Sequence, residues 1–241
     1  MYCRERVRPW GSRASLIVHL ASAARKNPLL AIFALESEWE ALSRPGRSPE
    51  IAPQRFTWWA DELRHLAAGS PTHPVTRLWA GLDLLETVTP TRLETALEGF
   101  FATRAIFNPP GSLGESGLRI LGESRGFFLE ASLLGSGPEI PGETFTATAL
   151  ADWMATSGLS GAQPDTEALI RRARLALATG AAGLAAVRSA PSALPLRVTF
   201  ALTRLHLDVA DLALQGPATR HRRTRPGIAA KLWTAWKAAR D

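Results

Sequence analysis

The chain has 241 residues, 46% of them hydrophobic, and a formal charge of +6. That length can bury a sizeable core, and the basic balance invites nucleic acid, anionic lipid or a diphosphate as partner without choosing among them. The single cysteine, Cys3, excludes an internal disulfide and a cysteine-based metal cluster.

Apolar residues recur at spacings of three and four almost everywhere and period-2 alternation is nearly absent, so the expected fold is all-α. Proline and glycine divide the chain into about ten helices. The segment "MYCRERVRPWGSRASLIVHLASAARKN" has the basic start and apolar centre of a leader peptide. His19 interrupts that centre, however, and the run continues to Arg25 and Lys26, which predicts one amphipathic helix instead. Breaks are expected at Asn27-Pro28 and within 43–53, 69–74, 108–112, 135–142, 157–165, 189–195 and 215–217. Thr91 with Glu94 and Ser112 with Glu115 fit capping boxes, while Pro74 and Pro90 suit first helical positions. Without an internal repeat or a long linker, residues 1–241 read as one bundle.

The segment 169–189 has a centre made nearly all of Ala and Gly, which suits either close helix packing or a helix lining a cavity. The basic run Arg220–Pro226 reads as a solvated linker, and the lack of interleaved aromatic residues argues against nucleic-acid binding. His19, His65, His73, His206 and His221 are dispersed without metal-ligand spacing. No apolar run reaches the roughly 18 residues that span a bilayer, "GAAGLAAV" at 180–187 being nearest. A chain of the reducing cytoplasm is expected, with peripheral attachment to the inner face of a membrane as the alternative.

In "FALESEWEALSRPG", residues 33–46, Glu36 and Glu40 stand four apart on an expected helix and share a face. Two such carboxylates suit a divalent cation or a plain surface pair. Trp58 and Trp59 diverge by about 100° on a helix, so only one can point straight into a core. Arg55, Asp61, Glu62 and Arg64 on the same helix are expected to form exposed contacts three or four residues apart, with Arg55 facing a cavity as the alternative.

The segment "PQRFTWWADELRHLAAGSPTHPVTRLW", residues 53–79, resembles the squalene/phytoene synthase family in its Arg-apolar-x-Trp-Trp-x-Asp-Glu-Leu helix, Gly-containing turn and His-Pro-Val helix start. Upstream "ARKNPLLAIFALESEWEAL" and the closing "RPGIAAKLWTAWKAARD" resemble further helices of that family. The resemblance covers about half of the chain and implies a single isoprenoid-synthase-like bundle around a central cavity. Active members join two prenyl diphosphates head to head, with Mg²⁺ held by two aspartate-rich helices facing one another.

Here the chain departs from the pattern. Glu40 falls near the first aspartate of the first motif, but Ala41 and Arg44 stand at later acidic positions. In the latter half, Asp152 is flanked four residues away by Thr148 and Thr156 instead of a second acid. Glu94 with Glu98 and Asp208 with Asp211 have usable spacing yet read as solvated helix faces. Glu36 and Glu40 accordingly read as a vestige or a surface pair. No GxSxG, Walker or GxGxxG segment supplies other chemistry.

The resemblance therefore implies a non-catalytic member acting as a binding or assembly factor, similar to the branch containing the respiratory complex I assembly factor. Its alternatives are an active Mg²⁺-dependent prenyl transferase and a polyprenyl-lipid binder. Glu36, Glu40, Arg55 and Trp59 are the candidate cavity or diphosphate-binding residues, with no residue assigned to catalysis or metal. A protein or an isoprenoid lipid is the expected partner, and Mg²⁺ is expected only under the enzyme alternative.

Overall fold

The sequence's helical spacing is realised in a computed structural model that describes residues 1–8, 10–43, 51–104, 114–135, 140–158, 166–186, 190–214 and 226–240. In chain order the helices are α1 (Tyr2–Arg6), α2 (Arg13–Leu20), α3 (Ala23–Ser43), α4 (Ile51–Ala67), α5 (Pro74–Ala80), α6 (Pro90–Arg104), α7 (Glu115–Ala131), α8 (Gly142–Trp153), α9 (Thr166–Ala186), α10 (Leu194–Leu214) and α11 (Ile228–Arg240). A π-helical turn, Met154–Gly158, extends α8. Among the described residues there is no strand, and the fold is the all-α bundle that the spacing predicts.

Helix α3 is the axis of the larger core. Every residue from Leu29 to Leu35 is buried, as expected of a helix that is apolar on all sides. Trp39 continues the core, with Trp59 of α4, Phe100 of α6 and Phe128 of α7 edge-on around it at centroid distances of 6.2, 5.9 and 5.4 Å. A second apolar cluster joins α7, α8, α9 and α10 through Leu121, Trp153, Ile170, Leu177 and Leu207.

Small residues bring these latter helices together. A Cβ added at Gly126 would stand 2.8 Å from the backbone nitrogen of Thr146, and one at Gly183 would stand 2.0 Å from the Thr144 hydroxyl. The Ala and Gly residues of α9 thus serve close packing against α8.

Several local expectations change. Pro28 lies inside α3 instead of ending a helix. Its missing N–H removes one bond, in the second turn, that the surrounding core outweighs. The predicted N-terminal amphipathic helix is divided, because Ala21 is extended between α2 and α3. Thr91 is not a cap, since α6 already begins at Pro90, with Thr89 accepting the first backbone bonds. Pro74 and Pro90 do open their helices. Ser112, Arg44, His221 and the basic residues 220–225 lie outside the described residues.

Candidate functional site

The double-Trp segment forms a structural joint. Trp59 is buried and Trp58 is 46% exposed, the divergence their adjacency requires. Both indoles meet His73 edge-on, at 4.9 and 5.7 Å. Asp61 and Arg64 pair at the surface as expected, but Glu62 is buried, contrary to the expectation of an exposed contact. Its carboxylate accepts the backbone N–H groups of Thr72 and His73, each at 2.8 Å, and the hydroxyls of Thr72 and Thr76, each at 2.5 Å. Glu62 thereby caps the turn that starts α5. Burial pushes its carboxyl up, but these four donors outweigh burial and hold its pKa below the usual carboxylate value.

The charged site lies elsewhere, in a cavity of about 480 Å³ between the N-terminal segment, α3, α7, α8 and α10. Glu36 and Glu40 do share one face of α3 and both line this cavity. The surface-pair reading fails for Glu36, which is 3% exposed. Asp152, at the end of α8, lines the same cavity.

What joins the three carboxylates is arginine. A Nη2 of Arg13 lies 2.5 Å from both carboxylate oxygens of Glu36, and its Nε is 3.8 Å from Asp152 Oδ2. Arg125 donates to Glu40 Oε1 at 2.6 Å. Each guanidinium also lies over an aromatic ring, Arg13 over Phe33 at 5.6 Å and Arg125 over Phe100 at 5.4 Å. The Thr203 hydroxyl is 3.2 Å from Asp152 Oδ1 and 2.8 Å from the Thr199 carbonyl, so its one proton serves either acceptor. Nearby, His206 Nδ1 stands 2.8 Å from the Leu202 carbonyl. A carbonyl only accepts, so Nδ1 carries the proton.

Local sequence places each arginine. Gly11 takes a positive φ of 82°, the Ser12 side chain accepts the Ser15 N–H at 3.2 Å, and α2 starts with Arg13 on the same stripe as buried Leu16 and Ile17. Arg125 likewise occupies the buried stripe of α7 with Leu121, Phe128 and Leu129. Sequence reasoning missed both arginines. The available signal was a cation standing three or four residues from apolar positions on one helix face.

The electrostatics follow from this crowding. Burial opposes the charge on Arg13, but Glu36, Asp152 and Glu40 outweigh it and raise its pKa. For Glu36, burial raises the pKa and neighbouring Glu40 adds to that push, against the lowering by Arg13 and Arg125. The net direction is upward, and Arg13 is the neighbour that most favours the ionised form of Glu36.

Of the other candidates, Arg55 is half-buried on α4 and Trp59 belongs to the aromatic core, both apart from the residues lining this cavity. Asp208 and Asp211 are joined by Arg174 across α9 and α10. Among the described residues, no three His, Cys, Asp or Glu side chains gather as a metal group. The donor set of the cavity does not fit Mg²⁺ well. Mg²⁺ needs free carboxylate oxygens, whereas Glu36, Glu40 and Asp152 already face guanidinium groups, and among the described residues five cationic side chains line the cavity against four anionic ones. No family model, curated protein or solved structure matches the chain.

Proposed function

We propose that this protein is a non-catalytic relative of the squalene/phytoene synthases that uses the bundle as a binding or assembly factor. The observation that carries the reading is the ion-pair cluster: Arg13 neutralises Glu36 and reaches Asp152, while Arg125 neutralises Glu40. In the synthases, carboxylates facing one another across the cavity hold Mg²⁺ against a departing diphosphate. Here, Glu36, Glu40 and Asp152 face guanidinium groups that are part of the chain. An ion entering between them meets fixed positive charge and has to break one buried and one part-buried pair, which is costly for the chain as a whole.

A second reading, binding of an isoprenoid diphosphate without metal and without turnover, has one observation in its favour. Buried Arg125 keeps its Nε without a hydrogen-bond partner among the described residues, and an arginine donor suits a phosphate oxygen. Both readings leave the transferase inactive, so one assay bears on both. Purified protein incubated with farnesyl or geranylgeranyl diphosphate and Mg²⁺ should yield no head-to-head product. Product formed by the wild type and lost in Glu36→Gln with Glu40→Gln would overturn the proposal in favour of an active transferase.

A further inference from the structure

Helix α11 is built with its apolar face outward. Its inner side is small, with Ala235 fully buried and Ala238 and Ala239 packed on the main core. Its large side chains face away from the bundle: Ile228 is 57% exposed, Leu232 39%, Trp233 64% and Trp236 41%. Ile228, Leu232 and Trp236 stand four apart and Trp233 stands three before Trp236, so the four share one broad side of the helix. The Trp233 and Trp236 rings stack on each other at 5.1 Å, and the Arg240 guanidinium lies 4.6 Å over Trp236.

The patch extends beyond the helix. A Cβ added at Gly11 would touch Ile228 at 3.4 Å, and the preceding Trp10 is 61% exposed. Trp10 borders a groove of about 710 Å³ whose lining includes Arg4, Arg8 and Lys26, with Glu5 as its acidic member. Lys237 and Arg240 are exposed on α11 itself. Apolar and aromatic side chains are thus surrounded mainly by cations.

We propose that this face, formed by α11 and the Trp10 turn, docks on the surface of an anionic lipid bilayer. Tryptophans favour the boundary between headgroups and acyl chains, and a helix with an aromatic-aliphatic face and basic edges lies in that boundary. Charge selects the occupant. In a symmetric pair of chains the same patch would face itself, bringing Lys237 and Arg240 against their own copies, whereas anionic headgroups complement them. None of the helices is long and apolar enough among the described residues to cross a membrane, and the proposed contact is made by this face. The inference stands independently of the function proposed above.

The test is flotation of the full chain with vesicles of phosphatidylcholine alone or mixed with phosphatidylserine, with tryptophan emission recorded in parallel. Wild-type protein should float with the anionic vesicles, shift its emission to shorter wavelength, and release at high salt. Trp233→Ser with Trp236→Ser should weaken partitioning at least about tenfold. Lys237→Gln with Arg240→Gln should weaken it by about fivefold per removed cation. Lys237 and Arg240 are exposed, so their variant should melt like the wild type, and a melting curve of the tryptophan variant separates lost docking from lost folding. Wild-type protein that stays with neither vesicle, or variants that float as well as the wild type, would overturn the inference. So would self-association or capture of an acidic protein through this patch while anionic vesicles remain unbound.

Discussion

Glu36 and Glu62 are both buried glutamates, 3% and 2% exposed, yet their surroundings neutralise them by opposite means. Glu62 meets two backbone N–H groups and two hydroxyls, neutral donors fixed by a turn, and its pKa is lowered. Glu36 meets the Arg13 guanidinium and a neighbouring carboxylate, with Arg125 acting from further away, and burial leaves its pKa raised. Backbone donors hold a carboxylate without bringing in a second charge that must itself be desolvated. An arginine has to be buried too, so the pair is balanced against two desolvation costs. The first arrangement stabilises a joint, and the second fills a cavity with opposing charges.

Removing the cation beside Glu36 should have the largest effect. Arg13→Met should destabilise the protein by about 3–5 kcal/mol, because it leaves Glu36 and Asp152 without their shared counter-charge. Urea unfolding measures this. The double variant Arg13→Met with Glu36→Leu should recover most of the loss, since apolar replacement of a whole buried pair is close to neutral. In the single variant Glu36 takes up a proton, and its folded pKa lies above the unfolded value of about 4.3. The stability from that protonated form is fully present below the unfolded pKa and lost as pH rises through the folded one. Its deficit against wild type should therefore grow from mildly acidic to alkaline pH.

Glu62 should behave with the opposite sign. Its folded pKa is lowered, so its contribution is present above the unfolded value and lost as pH falls through the folded one. Glu62→Gln should cost about 1.5–3 kcal/mol at neutral pH, the scale of hydrogen bonds to a charged group, and the deficit should shrink in acid. A Glu62→Gln deficit that grew in acid would contradict the assignment of this carboxylate as an ionised cap.

Much of the bundle was legible because helix periodicity and proline positions are local signals. Pro74 and Pro90 open α5 and α6 as their fixed φ suggests, and the Ala and Gly residues of α9 pack against α8. Pro28 misled because core burial of α3 outweighs one lost hydrogen bond. The i to i+4 spacing put Glu36 and Glu40 on one face, but spacing carries no information on what stands opposite. Arg13 lies 23 residues from Glu36 and Arg125 lies 85 from Glu40. Those partners are set by packing of distant helices. Glu62 was misplaced for the same reason, its donors coming from the turn ten residues onward.

Under the proposed function, chain-borne arginines occupy the electrostatic place of metal ions between Glu36, Glu40 and Asp152. The most direct test is the melting temperature of the purified protein with a non-hydrolysable farnesyl diphosphate analogue, with and without Mg²⁺. A ligand that binds the folded state raises that temperature. No Mg²⁺-dependent rise is expected. A rise that requires Mg²⁺ and disappears in Glu36→Gln with Glu40→Gln would contradict the proposed function.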